Sequence, residues 1–241
     1  MLFRSGDRVA TLVSLSLTPL RLDAVRAVRR ASAQLDVEGE AVLFASGAYA
    51  VLDRSLSDRL ALAILDVAGA APQVARLVKP RSVVVVLGAG GKSGSLCAAE
   101  ARRTGGSEAF IVGVENHETS AAELRALGLC DVVISGSARD AVGVRAAVLA
   151  ATGGVEAHVT FSCVNVEGAE MAAILCTRPR GTVYFFAMST SFTRAALGAE
   201  GVGRDVDLII GNGYAENHAA HTLELVKSSP KLLELFTNRY G

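Results

Sequence analysis

The sequence predicts an α/β fold with a doubly wound parallel sheet. From Lys79 onward, short runs of Val, Leu and Ile alternate with longer stretches of helical composition, a pattern typical of parallel strands joined by helical crossovers. Aromatic residues make up 5% of the chain and Trp is absent, whereas Ala, Val, Leu and Gly are abundant. That mixture suits strand–helix alternation better than an all-β sandwich.

Six strands are expected in this region, at 82–87, 109–114, 131–134, 157–164, 181–188 and 206–211. The first is a Val-rich run without polar interruption, which is typical of a strand buried on both faces. Helices are expected between the strands and after the last one, at 95–104, 120–127, 138–151, 168–175 and 218–227. Residues 191–193 and the glycine-rich 197–203 are instead predicted to form a long polar loop after the fifth strand.

The first sixty residues are strand-rich but contain too few elements to bury a core of their own. Apolar runs at 9–17, 34–43 and 47–52 are the expected strands. Ser57 is expected to cap a helix over 58–71, with Pro72 interrupting or restarting it. We therefore divide the chain into a partial domain at 1–60 and a complete α/β domain at 61–241.

Composition excludes several classes of protein. Lys and Arg together number 24, as do Asp and Glu, so neither a nucleic-acid partner nor a membrane surface is expected. No apolar stretch reaches the length of a membrane-spanning helix. The four cysteines form no CxxC pair, which favours buried, reduced thiols in a cytoplasmic protein.

A glycine loop follows the first strand of the α/β domain and precedes a helix. There, missing side chains let backbone amides approach a phosphate, and the helix N-terminus adds positive partial charge. The spacing departs from G-x-G-x-x-G, and the pattern of an ATP-binding P-loop fails because Val86 stands where its first glycine is required. The predicted cofactor-binding residues of this loop are Gly88, Gly90, Gly91, Lys92, Ser93 and Gly94.

Glu115 ends the second strand, about twenty residues beyond the loop. At that position of a Rossmann-type unit, a carboxylate accepts hydrogen bonds from the adenosine ribose and repels a 2′-phosphate. Asn116 offers no positive charge to an NADP phosphate. The pattern therefore predicts NAD as the cofactor, with Glu115 and Asn116 in its site, although a solvated strand-end Glu remains the alternative.

The carboxyl ends of the later strands should line the rest of the site, because ligands of such sheets lie beyond those ends. Asn165, Met188 and Ser189 are therefore predicted to contact the cofactor, and Asn212 and Tyr214 the substrate. Glu200 lies in the predicted polar loop on the same rim. Ordinary loop or capping roles remain open for each of them.

Asp66 interrupts a long apolar segment, where a carboxylate needs a partner or a function. A satisfied structural role and an active-site role both remain open. His218 and His221 are three residues apart on a predicted helix, but no third ligand is near them in the sequence. We therefore expect no metal.

Several strings resemble a known family. GDRV (6–9) and the strand order resemble the medium-chain dehydrogenase/reductase superfamily. Within it, the chain resembles the L-erythro-3,5-diaminohexanoate dehydrogenase family over nearly its whole length. The strings that carry this resemblance are LDVAGA (65–70), VVVVLGAGGKSG (83–94), CVNVEGAEMAAIL (163–175), GTVYFFAMSTSFTRAALGAEGVGRDV (181–206) and IIGNGY (209–214).

The resemblance implies NAD-dependent, zinc-free oxidative deamination of the diamino acid to 5-amino-3-oxohexanoate and ammonia. On chemical grounds, Asp66 and Glu200 are our candidates to hold the second ammonium group or to act as the base. A homodimer or higher homo-oligomer is also implied. Alternatives are a zinc-free quinone or enoyl reductase of the same superfamily and an NAD-binding fragment without turnover.

The resemblance also implies that the chain is N-terminally truncated. Members of the superfamily have about a hundred more residues upstream, which form most of a GroES-like substrate domain. Residues 1–60 would then be the remnant of that domain, and residues 61–241 the NAD-binding Rossmann domain.

Overall fold

A computed structural model describes residues 3–12, 18–30, 34–211 and 213–241. The chain forms two compact units. One comprises the residues up to Asp66 together with Phe236–Gly241, and the other comprises Val67–Leu235.

Within its described residues, the first unit contains the strands β1 (Val9–Thr11), β2 (Leu20–Arg29), β3 (Gln34–Ala41) and β4 (Tyr49–Val51) and the helix α1 (Asp58–Leu65). Strands β1 and β4 pair antiparallel, as do β2 and β3. Strands were expected where β1, β3 and β4 lie, but none was expected at β2. Two register shifts along the β2–β3 pair break the period-two alternation that reveals a strand in a sequence. Residues 13–17 of the first expected strand lie outside the described residues.

The second unit begins with a helix that was predicted from the sequence, in part, as a continuation of α1. Ser57 caps α1 as predicted, with its hydroxyl accepting from the Leu60 amide. The predicted single helix over 58–71 is wrong, however, because α1 ends at Leu65 and α2 (Ala70–Leu77) begins after Gly69. Pro72 is the third residue of α2, where its missing N–H interrupts no helical hydrogen bond.

Strands and helices then alternate along the second unit. They are β5 (Val83–Leu87), α3 (Lys92–Gly105), β6 (Phe110–Glu115), α4 (Glu118–Leu127), β7 (Val132–Ser135), α5 (Ala141–Ala151), β8 (Ala157–Ser162), α6 (Glu170–Cys176), β9 (Thr177–Phe185), α7 (Phe192–Gly201), β10 (Asp207–Ile210) and α8 (His218–Ser228). A further helix, α9 (Pro230–Tyr240), runs into the residues of the first unit. All six predicted strands are present, whereas α7 and α9 were not predicted.

The six strands form one parallel sheet in the order β10-β9-β8-β5-β6-β7. Every residue of β5 is buried, as its unbroken apolar run predicts. The chain builds outward from β5 to β7, then returns to β8 on the other side of β5 and builds outward again. The strand order therefore reverses between β5 and β8, which confirms the predicted doubly wound Rossmann sheet and puts its ligand crevice at their carboxyl ends.

Helix α7 corrects the prediction of a polar loop. The hydroxyl of Ser191 accepts from the Arg194 amide and caps the helix, while Ala195 and Ala199 are buried one turn apart. A Cβ at Gly198 would overlap the Met171 sulfur. The glycine that suggested a loop therefore allows a helix to pack closely against its neighbour.

Across the described residues, no single helix is long and apolar enough to span a membrane. Helices α1 and α2 reach that length and apolar composition only when they are counted together, and a break in the helix separates them. Most of their residues are buried.

Candidate functional site

The glycine loop connects β5 to α3 at the point where the strand order reverses. Gly88 has a positive φ of 72°, a conformation that favours glycine. A Cβ at Gly94, in the first turn of α3, would overlap the carbonyl oxygen of Gly88. These two positions let the chain turn sharply, and they bring the helix N-terminus against the loop.

Backbone hydrogen bonds hold the loop to the end of β6. The amides of Gly88 and Ala89 both donate to the carbonyl oxygen of Val114, at 2.8 and 3.1 Å. Helix α3 begins after Gly91, so no side chain caps its first turn. A helix N-terminus that no side chain caps is suited to bind an anion.

Glu115 lies at the end of β6 with 5% of its surface exposed. Its Oε2 accepts from the Gly90 amide at 3.0 Å, and its Oε1 accepts from the amides of Asn116 and His117 at 2.9 and 3.0 Å. A carboxylate accepts about four hydrogen bonds, so these three leave capacity for one more donor, such as a ribose hydroxyl.

A groove of about 280 Å³ runs along this edge of the sheet. It spans the ends of β5, β6, β7 and β8, which places the glycine loop between its two halves. Its lining residues are Gly88, Gly91, Val114, Glu115, Asn116, His117, Gly136, Ser137, Ala138, Cys163, Val164, Asn165 and Val166. No Lys or Arg is among these described lining residues, and His117 is the one whose side chain can become cationic.

The groove brings together five of the predicted cofactor residues, namely Gly88, Gly91, Glu115, Asn116 and Asn165. Gly90, Lys92, Ser93 and Gly94 belong to the same loop and the first turn of α3. The Ser189 hydroxyl lies 3.5 Å from the carbonyl oxygen of Val164, a lining residue. Met188 is 94% exposed and does not line the groove.

Tyr214, one of the two predicted substrate residues, is not among the described residues that line the groove. The Tyr214 ring packs edge-on against His218, and its carbonyl oxygen accepts from the Gln73 side chain at 3.1 Å. Asn212 lies outside the described residues. Neither role is tested by these contacts.

The two predicted catalytic carboxylates lie elsewhere. Glu200 is exposed in the last turn of α7 rather than in a loop on the rim. Asp66 is exposed at the C-terminal end of α1, so the apolar segment that surrounds it in the sequence does not bury it. The polypeptide leaves the apolar face of α1 at this residue, and its carboxylate therefore meets water. Their catalytic roles stay predictions.

The crevice fits a dinucleotide in the two features that such a ligand requires. Side chains are excluded where a pyrophosphate approaches, because Gly94 packs on Gly88, and a buried carboxylate stands one strand away. Within the described ranges, no group of three His, Cys, Asp or Glu side chains is placed to hold a metal ion.

Comparison with known proteins decides the family. An L-erythro-3,5-diaminohexanoate dehydrogenase from Acetoanaerobium sticklandii is 50% identical over 235 residues, which cover 98% of this chain and 68% of that relative. The enzyme of the same description from Fusobacterium nucleatum is 46% identical over the same shares. The chain belongs to the L-erythro-3,5-diaminohexanoate dehydrogenase family. Since these relatives are dehydrogenases, it belongs to a family of oxidoreductases.

Two further similarities concern the N-terminal part of the chain and its fold. Residues 1–53 match the L-erythro-3,5-diaminohexanoate dehydrogenase N-terminal domain. A quinone oxidoreductase from Pseudomonas syringae pv. tomato superposes with a TM-score of 0.60 at 21% identity, over 99% of this chain and 66% of that structure. At that identity the likeness concerns the fold alone.

One buried carboxylate of this family member was missed by the sequence reasoning. Glu170 is 2% exposed at the start of α6, and its Oε1 accepts from the Ser191 amide at 2.8 Å. Its Oε2 is buried and has no hydrogen-bond partner among the described residues. Glu170 thereby joins the segment after β8 to the N-terminus of α7. Its place directly after Gly168 and Ala169 carries no sequence signal, because the first turn of a helix commonly holds an acidic residue.

His117 and Ser137 also line the groove but were not singled out in the sequence. They follow β6 and β7, whose carboxyl ends reach the same edge of the sheet as β5. The same rule that selected Asn165 after β8 could have selected these two residues.

Proposed function

We propose that this protein catalyses the NAD-dependent oxidative deamination of L-erythro-3,5-diaminohexanoate to 5-amino-3-oxohexanoate and ammonia. The descriptions of its relatives support the substrate. The observation that carries the cofactor is Glu115, a buried carboxylate hydrogen-bonded to the glycine loop. A 2′-phosphate would meet this carboxylate in a groove without a lining Lys or Arg among the described residues, which favours NAD over NADP.

Each half of the groove receives a distinct part of the dinucleotide. The amides at the start of α3 hold the pyrophosphate, and Glu115 accepts from the adenosine ribose while Asn116 and His117 border the adenine side. The segment from Cys163 to Val166 borders the nicotinamide side. When bound, the nicotinamide ring supplies a hydride acceptor for the amine-bearing carbon.

The substrate carries two ammonium groups, so the protein must hold one and accept a proton from the other or from water. Asp66 and Glu200 are our candidates for these tasks because a carboxylate can do either. Asn212 and Tyr214 are our candidates for contacts to the substrate. Residue chemistry supports the two carboxylates, and chain position just after β10 supports Asn212 and Tyr214.

The assembly and location are part of the proposal. Strand β10 lies at the edge of the sheet, and Ile210 on it is 54% exposed. Edge strands pair readily with other chains, which supports a homodimer or larger homo-oligomer formed through β10. All four cysteines are free thiols, which suits the reducing cytoplasm.

A coupled assay tests the function. The purified protein is given L-erythro-3,5-diaminohexanoate with NAD or with NADP, and the reduced nucleotide and released ammonia are measured together. We expect both products in equal amounts with NAD and much slower turnover with NADP. Reduced nucleotide without ammonia would overturn the deamination. Oxidation of NADPH by a quinone, with no reaction of the diamino acid, would overturn the whole assignment.

A further inference from the structure

Two cysteines from different elements meet beneath the groove. The sulfur of Cys97, in α3, lies 3.7 Å from the sulfur of Cys163, which follows β8. Cys97 is fully buried, whereas Cys163 is partly exposed and lines the groove. The other two thiols, Cys130 and Cys176, have no sulfur contact among the described residues.

The surrounding backbone holds this pair in place. The Cys163 amide donates to the carbonyl oxygen of Leu87 at 2.9 Å, at the end of β5. A Cβ at Gly88 would lie 3.2 Å from the carbonyl carbon and oxygen of Cys163. The backbone of Cys163 is therefore held against the end of β5 and the glycine loop, and Cys163 lines the groove. We propose that Cys97 and Cys163 form a reversible disulfide when a peroxide reaches the groove.

The chemistry follows from the two environments. Burial raises the pKa of the Cys97 thiol well above its usual range, with the hydrogen bond to Cys163 adding to the effect. Cys97 therefore stays protonated and out of reach of the oxidant, so the groove-lining sulfur of Cys163 reacts first.

The step requires one peroxide and both thiols. The Cys163 sulfur attacks the peroxide O–O bond, forming a sulfenic acid and releasing water or an alcohol. The Cys97 sulfur then displaces the sulfenic hydroxyl, which leaves as water with the Cys97 proton. The two thiols lose two electrons and two protons, and the peroxide gains them. A thiol reductant reverses the bond by exchange.

Disulfide formation should affect the groove. The sulfurs must approach by about 1.7 Å to reach the S–S bond length of about 2.05 Å. The Cys163 amide is fixed to β5, so the segment from Val164 to Val166, which lines the groove, must adjust. This coupling rests on the proposed cofactor, although the disulfide itself does not. Because the two equilibria are linked, if the disulfide weakens NAD binding, bound NAD makes disulfide formation less favourable by the same factor.

The experiment treats the purified protein with hydrogen peroxide and measures its intact mass. We expect loss of the mass of two hydrogen atoms, reversed by dithiothreitol, in the wild-type protein and in the control Cys130→Ala. Cys163→Ala and Cys97→Ala should not show it. Because the tryptic peptide that carries Cys163 also carries Cys176, the cross-link to Cys97 is mapped in Cys176→Ala. Melting curves of all variants establish that they are folded.

Higher oxidation of Cys163 without a cross-link would overturn the proposal, as would a disulfide that persists in Cys163→Ala. A second arm adds NAD before the peroxide. We expect saturating NAD to slow the loss of thiols, and the oxidised protein to bind NAD about five-fold more weakly or worse. If the cross-link forms but the protein does not bind NAD at all, the disulfide proposal holds and the proposed cofactor is overturned. If the protein binds NAD but no cross-link forms, the proposed cofactor holds and the disulfide proposal is overturned.

Discussion

Glu115 accepts a hydrogen bond from the Gly90 amide at 3.0 Å, across 25 positions of sequence. This contact joins the end of β6 to the glycine loop, and a Cβ at Gly90 would lie 2.9 Å from the same carboxylate oxygen. Glu115, which is expected to favour NAD over NADP, therefore also holds the loop that is proposed to bind the phosphates of the cofactor. Loss of Glu115 should consequently affect both affinity and stability.

The Glu115→Gln variant replaces the carboxylate with a neutral side chain of the same shape, and so tests the contribution of the charge and of its acceptor oxygens. Three amides donate to its two oxygens, so at least one of them would face the Gln NH₂ group, whichever way that group turns. We expect a loss of about 1–3 kcal/mol in the free energy of unfolding. NAD affinity should fall by about 1–2 kcal/mol and discrimination against NADP should narrow. Chemical denaturation and calorimetric titration with both nucleotides measure these changes.

Glu118→Gln is the matched control. Glu118 is an exposed glutamate three residues away that contacts Arg125 and Ser135. We expect nucleotide affinity to be unchanged there. Unaltered NAD affinity in Glu115→Gln would remove Glu115 from the cofactor site.

The contrast between β5 and α7 shows what the sequence could predict. Residues 83–87 are uniformly apolar, and only a strand covered on both faces explains such a run, so local composition sufficed. Helix α7 carries Gly198 and Gly201, which suggested a loop, and its stability depends on burial of Ala195 and Ala199 against other elements. Tertiary packing of that kind is invisible in a local pattern.

The site shows the same division. Glu115 could be located because its position follows from the strand–loop–helix order. Its bond to Gly90 and the meeting of Cys97 with Cys163 depend on side-chain conformations of residues far apart in the chain. Asp66 was selected by an apolar neighbourhood, yet a helix ends at this residue and it is exposed. Composition alone does not reveal which way a helix end points.

The Gly94→Ala variant tests the close approach of α3 to the loop. The added methyl group would overlap the Gly88 carbonyl oxygen, so helix and loop must separate. We expect a loss of about 1–3 kcal/mol in the free energy of unfolding, together with weaker NAD binding. Thermal denaturation and nucleotide titration measure both quantities.

Gly201→Ala provides the comparison for that substitution. Gly201 is also a helical glycine, but no atom of the described residues beyond its own surroundings in α7 lies within 4 Å of its Cβ position. Alanine there should be neutral or stabilising by up to about 1 kcal/mol. Equal effects at positions 94 and 201 would show that the close approach does not matter.

His158 should make stability depend on pH. Its Nδ1 accepts from the Val83 amide at 3.0 Å, which requires the neutral ring. Burial, followed by the charge of Arg178, lowers the pKa of His158 below its ordinary value of 6.5. The unfolded chain therefore binds a proton near that value while the folded protein does not. Stability should consequently fall as the pH falls through about 6.5 toward the lower folded-state pKa.

His158→Asn should flatten that pH dependence, because the Asn side-chain oxygen can still accept from the Val83 amide and does not titrate. Urea denaturation at about pH 7.5 and about pH 5.5 measures the slope. His117→Asn, at an exposed histidine, controls for a general loss of imidazole. A slope in His158→Asn equal to that of the wild-type protein would refute the assignment.

Two substitutions of Glu170 separate the contribution of its hydrogen bond to stability from that of its charge. Its Oε1 accepts from the Ser191 amide at the start of α7, whereas its buried Oε2 has no partner in the part of the chain that the structure describes. Glu170→Gln keeps an oxygen for Ser191 and removes the charge, so stability should stay within about 1 kcal/mol of the wild-type value. Glu170→Ala leaves the amide unsatisfied and should cost about 1–3 kcal/mol. Denaturant titration of the two variants side by side decides the matter: if Gln proves as damaging as Ala, the carboxylate charge itself is required, and Glu170 has a role beyond anchoring α7.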